Sequence, residues 1–145
     1  MKNQLKIFTI LTTGRTGSDY LQSCLDGVPG VITLTGKTYF KYFFEKLKLK
    51  QINLTNKKET IEEFIKQNKN LFDSDDLEQK IINIDKIRFK MNLTKELNDR
   101  ALSRNNFIIS VFVAYEKTTR NKIDDAKIIV NHSHSIEETN FFLKL

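Results

Sequence analysis

An apolar run that passes straight into a small-residue loop restricts this chain most: LKIFTIL, then TTGRTGSDYL. Ile7, Phe8, Ile10 and Leu11 crowd residues 5–11 without polar alternation. That pattern predicts a strand buried on both faces, central in a parallel sheet. From Ser18, the residues Tyr20, Leu21, Cys24 and Leu25 recur at i, i+1, i+4 and i+5. They predict a short amphipathic helix over residues 18–25, closed by Gly27 and by Pro29, the chain's only proline. Residues 31–34 predict a second strand. Strand, loop, helix and strand in that order specify a β-α-β unit with a right-handed crossover.

Beyond the opening, helical spacing dominates. Tyr39, Phe40, Phe43, Phe44 and Leu47 share one helical face, and Ile61, Phe64, Ile65 and Leu71 form another. Residues 81–89 fit either secondary-structure type. Ser103 is placed to cap a helix carrying Phe107, Ile108, Val111, Phe112 and Tyr115 on one face. Residues 128–130 predict a further strand, parallel to the first and ended by Asn131-His132-Ser133-His134. A last helix begins at Ser135, with Glu137 and Glu138 in its first turn, where carboxylates suit the helix dipole. The plan is one α/β domain over residues 1–145, three-layered α/β/α, with a mostly parallel sheet.

Composition narrows the function classes. Apolar content of 39% supports a packed core, so wholesale disorder is not expected. No run of about eighteen apolar residues exists, so no membrane span is expected. Cys24 is the one cysteine, which excludes an internal disulfide, offers no metal cluster and suits a reducing cytoplasm. Net charge is +6, but lysine is spread along the chain rather than gathered into a stripe. Nucleic acid is therefore not an expected partner.

The loop over residues 12–18 sits at the carboxyl end of its strand, where ligands bind in open α/β sheets. Gly14 and Gly17 let the backbone approach an anion and turn sharply. The amides of residues 16–19, Asp19 included, point out of a helix N-terminus that favours negative charge. Arg15 adds a fork of donors matched to phosphate or sulfate oxygens, and Thr16 and Ser18 add hydroxyls. The triphosphate-binding loop needs G-x-x-x-x-G-K-[ST]. Here the spacing is G-x-x-G-S, shorter and without the lysine, so the loop suits one compact anionic group. A plain tight turn with an exposed arginine is the competing reading.

Over residues 12–32, TTGRTGSDYLQSCLDGVPGVI closely resembles the 5′-phosphosulfate loop region of sulfotransferases that use 3′-phosphoadenosine-5′-phosphosulfate (PAPS). The common form there is an apolar strand, G-R-[ST]-G-[ST]-x-x-L, a short helix and a small-residue turn before a second strand. Gly14, Arg15, Thr16, Gly17, Ser18 and Leu21 match, and Pro29 matches the turn; Val28 stands where a histidine is usual. KIIVNHSHSIEETNFF looks, more loosely, like the later strand and helix that carry a histidine in many members. The family's Arg-x-Pro and following Ser, which hold the 3′-phosphate, have no counterpart in this sequence. The resemblance thus implies a P-loop NTPase-like sulfotransferase fold, present as the donor-binding N-terminal half.

Its implied chemistry is transfer of a sulfuryl group from PAPS, without a metal, to a hydroxyl on a small-molecule or glycan acceptor. Gly14, Arg15, Thr16, Gly17, Ser18 and Asp19 would hold the donor, with Arg15 also steadying the leaving phosphate. The base that takes the acceptor's proton would be His132 or His134, the only histidines. The alternative is a non-catalytic or degenerate domain that binds an anion or nucleotide. The aromatic group Tyr39, Phe40, Tyr42, Phe43 and Phe44 is expected to be core, with Tyr39 or Tyr42 the exception.

Overall fold

The computed structural model describes residues 5–12, 17–34, 38–72, 84–120, 127–133 and 135–145. Of the predicted site residues, Gly14, Arg15, Thr16 and His134 lie outside these, as do residues 81–83 of the ambiguous stretch. The side chains of Ser18 and Asp19 also lie outside the description.

Three strands and six α-helices are described, in the order β1 (Lys6–Leu11), α1 (Ser18–Leu25), β2 (Val31–Thr33), α2 (Phe40–Leu49), α3 (Lys57–Gln67), α4 (Lys86–Asn98), α5 (Arg104–Thr119), β3 (Ile128–Ser133) and α6 (Ile136–Phe142). The strands form one parallel sheet in the order β1-β3-β2. The expected β1–β3 neighbourhood is therefore present, with Lys6 opposite Ile128 and Leu11 opposite Ser133. The expected central place of β1 is not. Among the described residues β3 is the middle strand and β1 lies at an edge, with Phe8 53% and Leu11 45% exposed. An apolar run of six residues identifies a strand but not its neighbours, because backbone hydrogen bonds are the same for every strand. β3 also runs further than expected, through Asn131 and His132 to Ser133.

Side chains alternate across the sheet. Ile32 and Ile129 are opposite one another, and both belong to the main core with residues of α2 to α6. His132 has the other parity and meets Gln22 of α1. Helix α1 thus covers one face and the other helices cover the opposite one, a three-layer arrangement.

The core is aromatic. Phe40 stacks on Phe64 and Phe112 at centroid distances of 5.9 and 6.0 Å, and Phe43 stacks on Phe107 at 5.1 Å. Phe64 also meets Phe43 edge-on at 5.3 Å and lies 6.3 Å from Phe89. Tyr39 and Tyr42 both stay exposed, where one exception was expected. Helix α5 departs from the one-faced expectation. It is buried continuously from Phe107 to Glu116, because it runs through the middle of the helical layer against α4 and β2. Glu96 tethers α4 to it through Lys117 Nζ at 2.5 Å, and also pairs with Arg100 Nη2, just past the end of α4, at 3.3 Å.

Helix caps follow the sequence. The side chains of Asn56, Asp85, Ser103 and Ser135 each accept from an amide in the first turn of their helix. Glu138 works differently from the expectation that it serves its own helix. It is buried, and both carboxylate oxygens accept from the Lys41 amide, at 3.1 and 3.2 Å, in the first turn of α2. Burial raises its pKa, against the opposing pull of the Lys41 and Phe40 amides.

Candidate functional site

The rim at the carboxyl ends of the strands holds those of the sequence's candidates that are described, Gly17, the Ser18–Asp19 backbone and His132. Thr12 leaves β1 with its amide donating to Ser133 O at 3.1 Å, so the loop that follows starts beside the end of β3. Gly17 then precedes α1 with φ +73, and a Cβ built there would meet no atom within 4 Å. Its glycine identity answers a backbone requirement, since this left-handed conformation costs an L-residue about 1–2 kcal/mol. Ser18 opens α1 as predicted, and Gly17 O accepts from the Leu21 amide at 3.0 Å.

Helix α1 is held to the sheet by polar side chains. The expected apolar face, Tyr20, Leu21 and Cys24, is instead exposed, with Tyr20 at 76%. Gln22 and Asp26, one turn apart, make the contacts. The Gln22 Nε2 amide donates to Leu34 O, just past β2. At the helix C-cap, Asp26 Oδ1 accepts from Thr33 Oγ1 at 2.6 Å and from Arg120 Nη2. Glu116 Oε2 stands 3.5 Å from Arg120 Nη1, an ion pair without hydrogen-bond geometry, and burial raises the Glu116 pKa despite that arginine. This clamp joins the end of α1 to β2 and α5, which fixes the direction in which the start of α1 points.

His132 sits half-buried between the two halves of this rim. Its Nδ1 lies 2.9 Å from Gln22 Oε1, and its Nε2 lies 3.2 Å from Thr12 Oγ1. The Gln22 amide orientation is set by its donation to Leu34 O, so Oε1 is the end that faces the imidazole and can only accept. Nδ1 therefore carries the proton. In the neutral ring Nε2 is the lone-pair nitrogen, and Thr12 Oγ1–H donates to it. The result is an imidazole held in one tautomer with its basic nitrogen turned toward the first residue of the loop.

Of the sequence candidates, His132 and the Gly17–Asp19 backbone share this rim. Thr12 and Gln22 carried no predicted role. A signal for them existed: Thr12 is the first polar residue after β1, and Gln22 lies one helical turn beyond Ser18. Neither says anything of His132 until β1 and β3 are paired. Among the described residues no group of three or more His, Cys, Asp or Glu could hold a metal ion. No described helix is long and apolar enough to cross a membrane.

Compared with protein-family models, with curated proteins and with solved structures, the chain matches none.

Proposed function

We propose that the chain is a sulfotransferase-like domain of P-loop type that binds the phosphosulfate of PAPS at residues 12–18 and uses His132 to take a proton from an acceptor hydroxyl. The observation that carries this reading is the orientation of His132: Nδ1 is engaged by Gln22, and Nε2 faces Thr12 at the start of the loop. A base needs a lone pair directed at the hydroxyl it serves, and a neutral imidazole with Nδ1 protonated has one.

The residues present suit the donor. Gly17 has the left-handed turn and the open space that a close anion requires, and α1 begins directly after it. Arg15 supplies the cation by its place in the sequence. PAPS, when bound, supplies the activated sulfuryl group; the protein's part is to bind it, orient it and manage one proton. An acceptor hydroxyl that replaced Thr12 Oγ1 on Nε2 would put its proton on His132, and Gln22 Oε1 would stabilise the imidazolium through Nδ1–H. Arg15 and the amides after Gly17 would offset charge developing on the departing phosphate.

A second reading rests on the same contacts. With both ring nitrogens engaged by Thr12 and Gln22, His132 also suits a structural tie between α1, β1 and β3 in an anion-binding domain without catalysis. Titration with adenosine 3′,5′-bisphosphate separates the outcomes. Binding weakened by about 1.5–3 kcal/mol in Arg15→Ala, with His132→Ala near wild type, supports the loop as the anion site. In a PAPS turnover assay, a loss of roughly a hundredfold or more in His132→Ala assigns the base. Binding without any turnover favours the second reading, and equal affinity of wild type and Arg15→Ala overturns both.

A further inference from the structure

A groove of about 390 Å³ opens between α3 and α4. It belongs to the far side of the helical layer: α4 packs on α5 and α5 on β2, whereas β1 is covered chiefly by α6. The floor is apolar. Ile65 is half-buried there, and Ile87, in the first turn of α4, is 74% exposed. Met91, one turn further, is 67% exposed and continues the strip along the same side of α4. The walls are basic, with Lys66 and Lys69 on the α3 side and Lys86 and Lys90 on the α4 side. Glu62 is the one carboxylate among the lining residues, and it is engaged, accepting from Lys90 Nζ at 3.0 Å. Four lysines against one glutamate leave an excess of three positive charges. Neither Lys66 nor Lys69 has an acidic partner among the described residues.

Helix α4 adds to this field. Its N-terminus is the positive end of the dipole, yet the first turn carries Lys86 and Arg88 and no acid. Asp85, the cap, offsets part of that charge by accepting from the Ile87 and Arg88 amides. Cations at this end work against the helix itself, so α4's own stability does not account for them. An anion in the groove would relieve the repulsion.

We propose that the groove binds a single-chain anionic amphiphile, such as a fatty carboxylate. The head lies among Lys66, Lys69 and Lys86, and the chain runs along Ile65, Ile87 and Met91. A bare inorganic anion would use the lysines and leave the isoleucines in water. A neutral apolar molecule would leave like charges facing each other across the groove. An apolar strip rimmed by charge is what a ligand with both parts requires. The volume is within the small-molecule range of roughly 300–1,000 Å³. Nucleic acid calls for a longer basic stripe, and the remaining lysines are spread along the chain.

The test is titration of the intact chain with dodecanoate below its micellar range, followed by amide and methyl NMR shifts. Saturable one-to-one binding is expected, with the shifts at Ile65, Lys69, Ile87 and Met91. Dodecyltrimethylammonium and inorganic phosphate should leave those signals in place. Lys66→Glu with Lys69→Glu should weaken binding at least about tenfold. Lys48→Glu with Lys95→Glu changes net charge equally at exposed positions outside the groove and should leave affinity near wild type. Ile87→Asp removes part of the floor at an exposed position, so the fold is kept, and should also weaken binding. Asp73, Asp75, Asp76 and Glu78 join the two walls in sequence, and the intact chain keeps them in competition for the lysines. No saturable binding in their presence, shifts confined to other residues, or equal losses in the two double variants would each overturn the proposal. So would phosphate binding as tightly as dodecanoate, or binding to anionic vesicles alone, which would assign the face to a membrane surface.

Discussion

His132 shows what one residue's chemistry owes to its neighbours. Its tautomer depends on Gln22, whose own orientation depends on Leu34 O. Truncation by Gln22→Ala should therefore release Nδ1 and let the two neutral tautomers mix. The measurement is the pair of ¹⁵N shifts of the His132 ring above its titration range; an unchanged, single Nδ1–H tautomer would mean that another group holds the ring. Gly17 gives a backbone counterpart. With φ +73 and no atom within 4 Å of a built Cβ, Gly17→Ala meets strain but no clash. Urea unfolding should show a loss of about 1–2 kcal/mol at constant m, and Gly17→Asn a smaller one, since Asn tolerates this conformation better. The glycine was legible as a turn residue from its place between strand and helix. The partners of His132 were not, because Gln22 is 110 residues away in sequence and becomes a neighbour only through the β1-β3-β2 order.

Among the elements, the contact between α6 and α2 carries a pH signature. Burial raises the Glu138 pKa above its ordinary value of 4.5, although the carboxylate accepts from the Lys41 amide. The folded chain therefore binds this proton more tightly than the unfolded chain. By linkage, stability rises as pH falls through the raised folded value, and the gain is complete below about 4.5. Glu116 contributes in the same direction, through burial. Glu63 opposes them: its hydrogen bond with Lys50 lowers its pKa, and the stability this supplies above about 4.5 is lost as pH falls through the lowered value. Glu138→Gln retains a carbonyl acceptor for the Lys41 amide and removes the titration. Denaturation midpoints followed from neutral toward mildly acidic pH should rise less steeply in this variant than in the unmutated chain. Parallel curves would remove Glu138 as a source of the slope. The caps at Ser103 and Ser135 and the helical faces of α2 and α3 were readable in advance, since each depends on residues within a turn or two. The role of Glu138 was not; its position in a first turn suggests service to α6, and only packing turns it toward α2.

At the scale of the whole molecule, stability rests on phenylalanines gathered from separate helices around α5. Phe64 is fully buried among Phe40, Phe43, Phe89 and Phe107. Phe64→Ala should cost about 3–5 kcal/mol, a large part of what a domain of this size possesses. Thermal unfolding should show a correspondingly large drop in midpoint, and a loss below about 1 kcal/mol would mean that the ring's surroundings collapse into the space it leaves. Helix α4 opens within a stretch that fitted either type. Sequence by itself determined the three strands and their parallel direction, the helices α1, α2, α3, α5 and α6, the glycine turn after β1 and the aromatic content of the core. These follow from local spacing, capping and the rule that successive strands joined by helices run parallel. Tertiary structure alone decided that β3 lies between β1 and β2, that α1 meets the sheet through Gln22 and Asp26 with Tyr20 left in solvent, and that His132 faces Thr12. Backbone donors and acceptors carry no label for their strand, so strand order is set by how all the helices pack at once. The contacts of every side chain on the rim follow from that order.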